Sequence, residues 1–189
     1  MALFNDMKKK GRPDVISYNA LVGAGMAAEK TEEVLGLWSE MCQPSNTGVK
    51  PDIVTLTEVI ATLDGAGGAN RKAIDKVFAE AVLLGLLLRE DSLDTRWEVD
   101  LSRMSRPVAR AACRFVFRRF TERAAKDEEE AMQDLSLITG AGRMREYVRE
   151  VLRDELRPSV YCVVLESEQG TLVVREQMMK NYIKGQTSQ

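Results

Sequence analysis

Any chemistry in this chain is done without histidine. Its 189 residues contain none. A Ser-His-Asp or Cys-His nucleophile, a His-ligated zinc and an imidazole acid or base are therefore excluded within it. Three cysteines, Cys42, Cys113 and Cys162, lie 71 and 49 residues apart. That spacing matches no metal or redox motif, and an odd count suits buried thiols in a reducing compartment. Two arginine- and glycine-based features could hold phosphate. Thr139-Gly140-Ala141-Gly142, followed by Arg143, joins a strand pattern to a helix pattern. Backbone N–H groups and the dipole at a helix start attract anions, and glycine lets the backbone come close. The loop lacks the Gly-Lys-Ser/Thr ending of a nucleotide-hydrolysing loop; the plain alternative is a tight βα turn. Arg106, Arg110, Arg114 and Arg118 step by four, led in by Arg103. Such a stripe either meets phosphates or is a solvated face paired with nearby acids.

These features must be positioned by about 21.1 kDa of chain, enough for one ordinary domain or two small ones. Lys plus Arg is 27 and Asp plus Glu is 29, a net charge of -2, so the chain is no wholesale basic wrapper of nucleic acid. Residues 91–189 carry 17 bases against 17 acids, which favours pairing of the arginine stripe. The longest apolar run, Ala79–Leu88, is interrupted by Glu80 and is too short to span a bilayer. No membrane partner is expected. The N-terminus has neither a signal-peptide core nor the composition of a transit peptide.

The first half repeats itself. Gly11-Arg12-Pro13-Asp14-Val15-Ile16-Ser17-Tyr18-Asn19 returns 38 residues later as Val49-Lys50-Pro51-Asp52-Ile53-Val54-Thr55-Leu56-Thr57. Proline pushes the residue before it out of the α region, ending one helix. The Asp and hydroxyl residues that follow can cap the next. Tyr18, Leu21, Val22 and Met26 recur at helical spacing; after a break near Lys30-Thr31, so do Val34, Leu35, Trp38 and Met41. In the second unit Leu56, Val59, Ile60 and Leu63 form one face, Asp64–Asn70 a turn, and Ile74, Val77, Phe78 and Ala81 the next face. Neither helix of such a pair can bury its apolar side alone, so the pairs must stack. Residues 2–13 read as the second helix of a further unit, and the chain is expected to be a piece of a longer array.

Val15–Val22, Glu32-Glu33-Val34, Leu37–Met41 and Gly48–Asp52 together resemble the pentatricopeptide repeat. The resemblance covers roughly residues 2–90, with extra residues around Pro44–Thr47. It implies that one base is read per repeat by two or three side chains. On this sequence those are Asn19 and Asp52, a pair that suggests uracil, with Ile16 packing on the base. The next unit offers Thr57 and, at its close, Arg89, which fits no usual pair. The alternative is that Asn19 and Asp52 only cap helices.

The second half mixes strand and helix patterns. Trp97–Leu101 alternates as a strand. Ser105 with Pro107 starts a helix running to about Ala125; Leu135–Ile138 is a buried strand. A helix from about Arg143 buries Tyr147, Val148, Val151, Leu152 and Leu156 and stops before Pro158. Val160–Leu165 and Thr171–Val174 form a hairpin about Glu166–Gly170. The expected fold is thus an N-terminal α-solenoid of helix-turn-helix repeats (1–92), a small β-α-β-α-β-β two-layer sandwich (93–176) and a C-terminal helix or tail (177–189).

Val99-Asp100-Leu101 with Met104-Ser105, Leu137–Gly142 and Gly170–Val174 resemble the Smr (small MutS-related) domain. The resemblance implies phosphate-backbone contact by Arg103, Thr139, Gly140, Ala141, Gly142 and Arg143. Some Smr domains cleave RNA or DNA, and Asp100 would be the acidic residue. Where the family shows Asp-Leu-His-Gly, this chain has Asp100-Leu101-Ser102-Arg103, which departs at the histidine. Magnesium on the Asp100 carboxylate would be needed only for a nuclease; no other cofactor is expected. Together the resemblances imply a protein of organellar RNA metabolism, in chloroplast or mitochondrion, whose partner is single-stranded RNA. The alternatives are a guided endonuclease and a protein-interaction solenoid with a degenerate Smr module.

Overall fold

A computed structural model describes residue 11 and residues 13–27, 30–43, 48–88, 97–125, 132–165 and 170–187. The chain forms two compact units divided between Leu87 and Leu88. The expected boundary lay a few residues later, inside a stretch outside the described residues. So do most of the expected partial repeat at 2–13, the insertion at Pro44–Thr47 and the hairpin turn Glu166–Gln169. The described residues make a mixed α and β protein with seven α-helices and one four-stranded sheet. None of those helices is long and apolar enough to cross a membrane.

The first unit is helical. Helices α1 (Val15–Ala27), α2 (Thr31–Cys42), α3 (Ile53–Gly65) and α4 (Arg71–Leu83) follow in order, with a 3-10 turn at Gly68–Asn70. Each helix packs on the next, and α1 also packs on α3, one repeat further on. Tyr18, Val22, Val34, Trp38, Met41, Leu56, Val59, Ile60, Leu63, Ile74, Val77, Phe78 and Ala81 are buried, as their spacing predicts. Leu35 and Leu21 are only half-buried, and Leu37 takes the inner place instead. Two polar ties cross the helices. Tyr18 Oη donates to Glu40 Oε1 at 2.7 Å and Trp38 Nε1 to Glu80 Oε2 at 2.7 Å. Large rings are thereby buried without orphaning their polar atoms.

The second unit follows the expected β-α-β-α-β-β order. It comprises β1 (Glu98–Asp100), α5 (Arg106–Ala124), β2 (Leu135–Ile138), α6 (Arg143–Asp154), β3 (Val163–Val164), β4 (Thr171–Val174) and a terminal helix α7 (Glu176–Thr187). The sheet order is β1-β2-β4-β3, with β1 and β2 parallel and the other pairs antiparallel. Val99, Leu137 and Leu172 lie in one row across the sheet and are all buried. Trp97 stacks on Phe120 with centroids 4.4 Å apart.

Four local expectations need correction. The strand expected over Val160–Leu165 shortens to two residues at the sheet edge, because only Val163 and Val164 find partners on β4; Tyr161 is 61% exposed. Helix α6 ends at Asp154, before Leu156 and Pro158. Tyr147 is half-buried, not core. Ser105 holds the N-cap backbone conformation of α5, but its side chain makes no capping bond.

The middle of the arginine stripe, Arg110 and Arg114, turns inward, while Arg106 and Arg118 stay exposed. Arg114 is only 8% exposed. Arg114 Nη1 lies 3.3 Å from Glu155 Oε2, and Arg110 Nε 2.9 Å from Glu155 Oε1. One carboxylate just past the end of α6 thus pairs with two guanidiniums of α5. Removing one member of a buried pair leaves charge uncompensated, costing about 3 kcal/mol or more. Glu155→Ala should therefore destabilise the second unit by about that amount, read as a shift in the urea midpoint of Trp97 fluorescence. Glu122→Ala removes an exposed partner of Arg118 and should change the midpoint little.

Candidate nucleic-acid interface

In the first unit Pro13-Asp14 and Pro51-Asp52 each lead into a helix. The Asp14 carboxylate accepts from Ser17 N at 2.8 Å and Ser17 Oγ at 2.7 Å. Asp52 accepts from Thr55 N at 2.8 Å while Asp52 N donates to Thr55 Oγ1 at 3.1 Å, a complete capping box. The two repeats then meet. Asn19 Nδ2 lies 3.2 and 3.4 Å from the two Asp52 oxygens, and Thr55 Oγ1 donates to Asn19 Oδ1 at 2.5 Å. Thr55 is fully buried beneath them, while Asn19 and Asp52 are half-buried.

Counting valences shows what this pair has left. Asn19 keeps a second N–H and a second lone pair. Asp52 is bonded by Thr55 and Asn19, chiefly at Oδ1, and by the Val54 backbone N–H, while Oδ2 takes the longer Asn19 contact. A donor and an acceptor therefore remain side by side. Burial raises the Asp52 carboxyl pKa, but the bonds from Thr55 and Asn19 outweigh it and hold the group below the ordinary range. One turn before Asn19, Ile16 is 73% exposed; Val54, its counterpart in the next repeat, is 47% exposed, beside exposed Ile53. Thr57 does not join the cluster: its hydroxyl donates to the Ile53 carbonyl at 2.8 Å, and Arg89 lies outside the described residues. The contact missed at the sequence level is Thr55 with Asn19. Its signal was the hydroxyl three residues after each Asp, which marks a cap but not a bridge between repeats.

In the second unit the parallel pairing of β1 and β2 brings their C-terminal ends together, with Asp100 opposite Ile138. The loops after them hold the remaining candidates. Asp100 is exposed and its Oδ1 accepts from Ser102 Oγ at 2.6 Å and Ser102 N at 2.8 Å. These bonds, with a smaller contribution from Arg103, hold its carboxyl below the ordinary range. Ser102 is thus a clamp on the carboxylate. No group of three potential metal ligands occurs among the described residues.

Thr139 is corrected. It is 4% exposed, and its Oγ1 donates to backbone carbonyls, 3.0 Å from Gly140 O and 3.1 Å from Gly170 O. Its hydroxyl stitches the loop to β4 instead of facing a ligand. Gly140 (φ 69°) and Gly142 (φ 121°) occupy conformations that favour glycine. A Cβ on Gly170 would stand 3.3 Å from Gly140 Cα, so that close approach also holds the loop. Ala141, Gly142, Arg103 and Arg143 are exposed. Beyond the loop lies a depression of about 400 Å³, lined by Arg106 of α5, Gly142, and Arg143, Arg145 and Tyr147 of α6, with Glu146 and Glu150 at its side. Sequence reasoning left Arg145 and Tyr147 out of the site because helical spacing assigned Tyr147 to the core.

The thiols take no part. Burial pushes Cys113 up to about 12 and Cys42 to about 11, and raises Cys162 as well, so none is a ready thiolate. No protein-family model matches the chain, and no curated protein matches it.

Asp52 also fixes a pH dependence. Its folded pKa is depressed, so its stabilisation is present above the unfolded value near 3.8 and lost as pH falls through the folded one. Lowering pH from 6 to 3 should destabilise the helical unit, and Asp52→Asn should flatten that dependence. At pH 7 Asp52→Ala should cost about 1 kcal/mol as a lost cap, measured by denaturant unfolding followed by circular dichroism.

Proposed function

We propose that this chain binds single-stranded RNA in organellar RNA metabolism. Its helical unit acts as a segment of a pentatricopeptide-type solenoid, and its second unit as an Smr-like module on the phosphate backbone. The observation that carries the reading is the meeting of Asn19 and Asp52, 33 residues apart, at 3.2 Å across consecutive repeats. Their remaining N–H and carboxylate oxygen match the alternating acceptors and donor of a uracil edge. Exposed Ile16 and Val54 offer apolar faces for a base to pack on. In the second unit Arg103 and Arg143 stand exposed beside the Ala141-Gly142 loop, suited to phosphates. With so few bases read, affinity is low and most of it is electrostatic.

A second reading has an observation of its own. Ile16, Ile53 and Val54 form an exposed apolar group, which suits docking of a protein as well as a base. Fluorescence anisotropy with labelled oligouridine separates the two. On the RNA reading, affinity falls with salt, log K changing by about 0.7 per log salt for each phosphate contact. Asn19→Ala then costs about 1 kcal/mol for uridine and less for adenosine. Binding indifferent to both salt and Asn19→Ala would favour the protein partner. Incubation with magnesium should leave the RNA intact; cleavage abolished by Asp100→Ala would instead establish an endonuclease.

A further inference from the structure

We infer that the depression between α5 and α6 is a pocket for one nucleotide unit, its base stacked on Arg106 and its phosphate held by Arg143. This goes beyond backbone contact at the glycine loop, and it rests on the RNA reading for its class of ligand. Three observations converge. The depression is open to solvent and has about 400 Å³, room for a small ligand. The Arg106 guanidinium lies over the Tyr147 ring, 5.2 Å from its centroid, and Arg110 lies 5.7 Å from the same centroid. Arg110 is also drawn to Glu155 at 2.9 Å, which keeps that side of the ring occupied from within. Arg106 is exposed. A planar cation held over an aromatic ring and open to solvent is a stacking platform for a base.

The charges around it leave room for an anion. Glu146 is engaged by Arg145 at 3.3 Å and Arg149 at 3.4 Å. Arg143 is exposed and makes no ion pair among the described residues. Glu150, the other acid lining the pocket, lies two turns along α6 from Arg143, while Arg143 stands at the helix start beside Gly142. A phosphate therefore belongs at the Gly142–Arg143 end. The ligand so described is an aromatic ring joined to a phosphate, which inorganic phosphate and a bare nucleoside each only half satisfy. Every base has a π face, so the pocket is tolerant of base identity.

The test uses the whole chain and NMR titration of the Tyr147 ring signals. UMP and AMP should both shift those signals with affinities within about threefold of each other. Uridine and inorganic phosphate should each bind at least tenfold more weakly than UMP. Arg106→Lys keeps the charge but loses the plane, and should weaken UMP about tenfold; Arg143→Ala should do the same. A uridine tetranucleotide bearing a 5′-phosphate should compete with UMP at least as well as UMP does itself. Arg106→Lys binding as tightly as the parent, or inorganic phosphate matching UMP, would reduce the pocket to an anion patch and overturn the inference. Competition by UMP but not by the tetranucleotide would make it a free-nucleotide site and overturn its assignment to RNA. The Tyr147 ring signals report this pocket, and the oligouridine anisotropy of Asn19→Ala reports base reading by the repeats, so loss of each is a separate result.

Discussion

The Asp52 carboxylate is the joint on which the first unit turns. It ends the extended Lys50-Pro51 approach, accepts the Thr55 N–H that opens α3, and holds the amide of Asn19 from the repeat before. A helix of thirteen residues is marginal alone. Here the cap starts it and the burial of Leu56, Val59, Ile60 and Leu63 completes it. The capping bond that starts the helix and the Asn19 tie fall mainly on one carboxylate oxygen. Capping and the tie between repeats share one side chain: the box fixes where the second carboxylate oxygen stands.

The second unit uses a comparable economy. Thr139, buried and bonded to Gly140 and Gly170, gives up its hydroxyl to hold the glycine loop against β4. Ser102 clamps the Asp100 carboxylate. Glu155 draws Arg110 and Arg114 inward. In each case a polar group is committed to holding local geometry. Among the groups left outward, Arg103, Arg106 and Arg143 follow the ends of β1 and β2 in the chain. Parallel strands deliver their following loops to the same side of a sheet, which is why such sites form there.

Much of this was legible in the chain itself. The 38-residue offset, the Pro-Asp starts and the apolar spacing of Val34, Trp38, Val59, Phe78 and their neighbours set four helices and most of the buried face. Those signals are local: they depend on backbone restriction and on a 3.6-residue period. The β-α-β-α-β-β order was equally visible, through apolar runs bounded by glycine and proline. The missing histidine closed off imidazole chemistry before any coordinates were needed.

Tertiary structure alone decided which polar groups remain free. Arg106 and Arg114 share one periodic stripe, yet one is exposed and the other buried, because Glu155 arrives from another helix to meet only the inner part. Thr139 and Arg143 belong to one motif, yet Gly170, 31 residues downstream, absorbs the hydroxyl of the first and leaves the second outward. Tyr147 has core spacing but ends beneath two guanidiniums. Periodicity reports which side of an element is apolar; a hydrogen bond or ion pair depends on what distant chain is brought against it, and that is settled only when the elements pack.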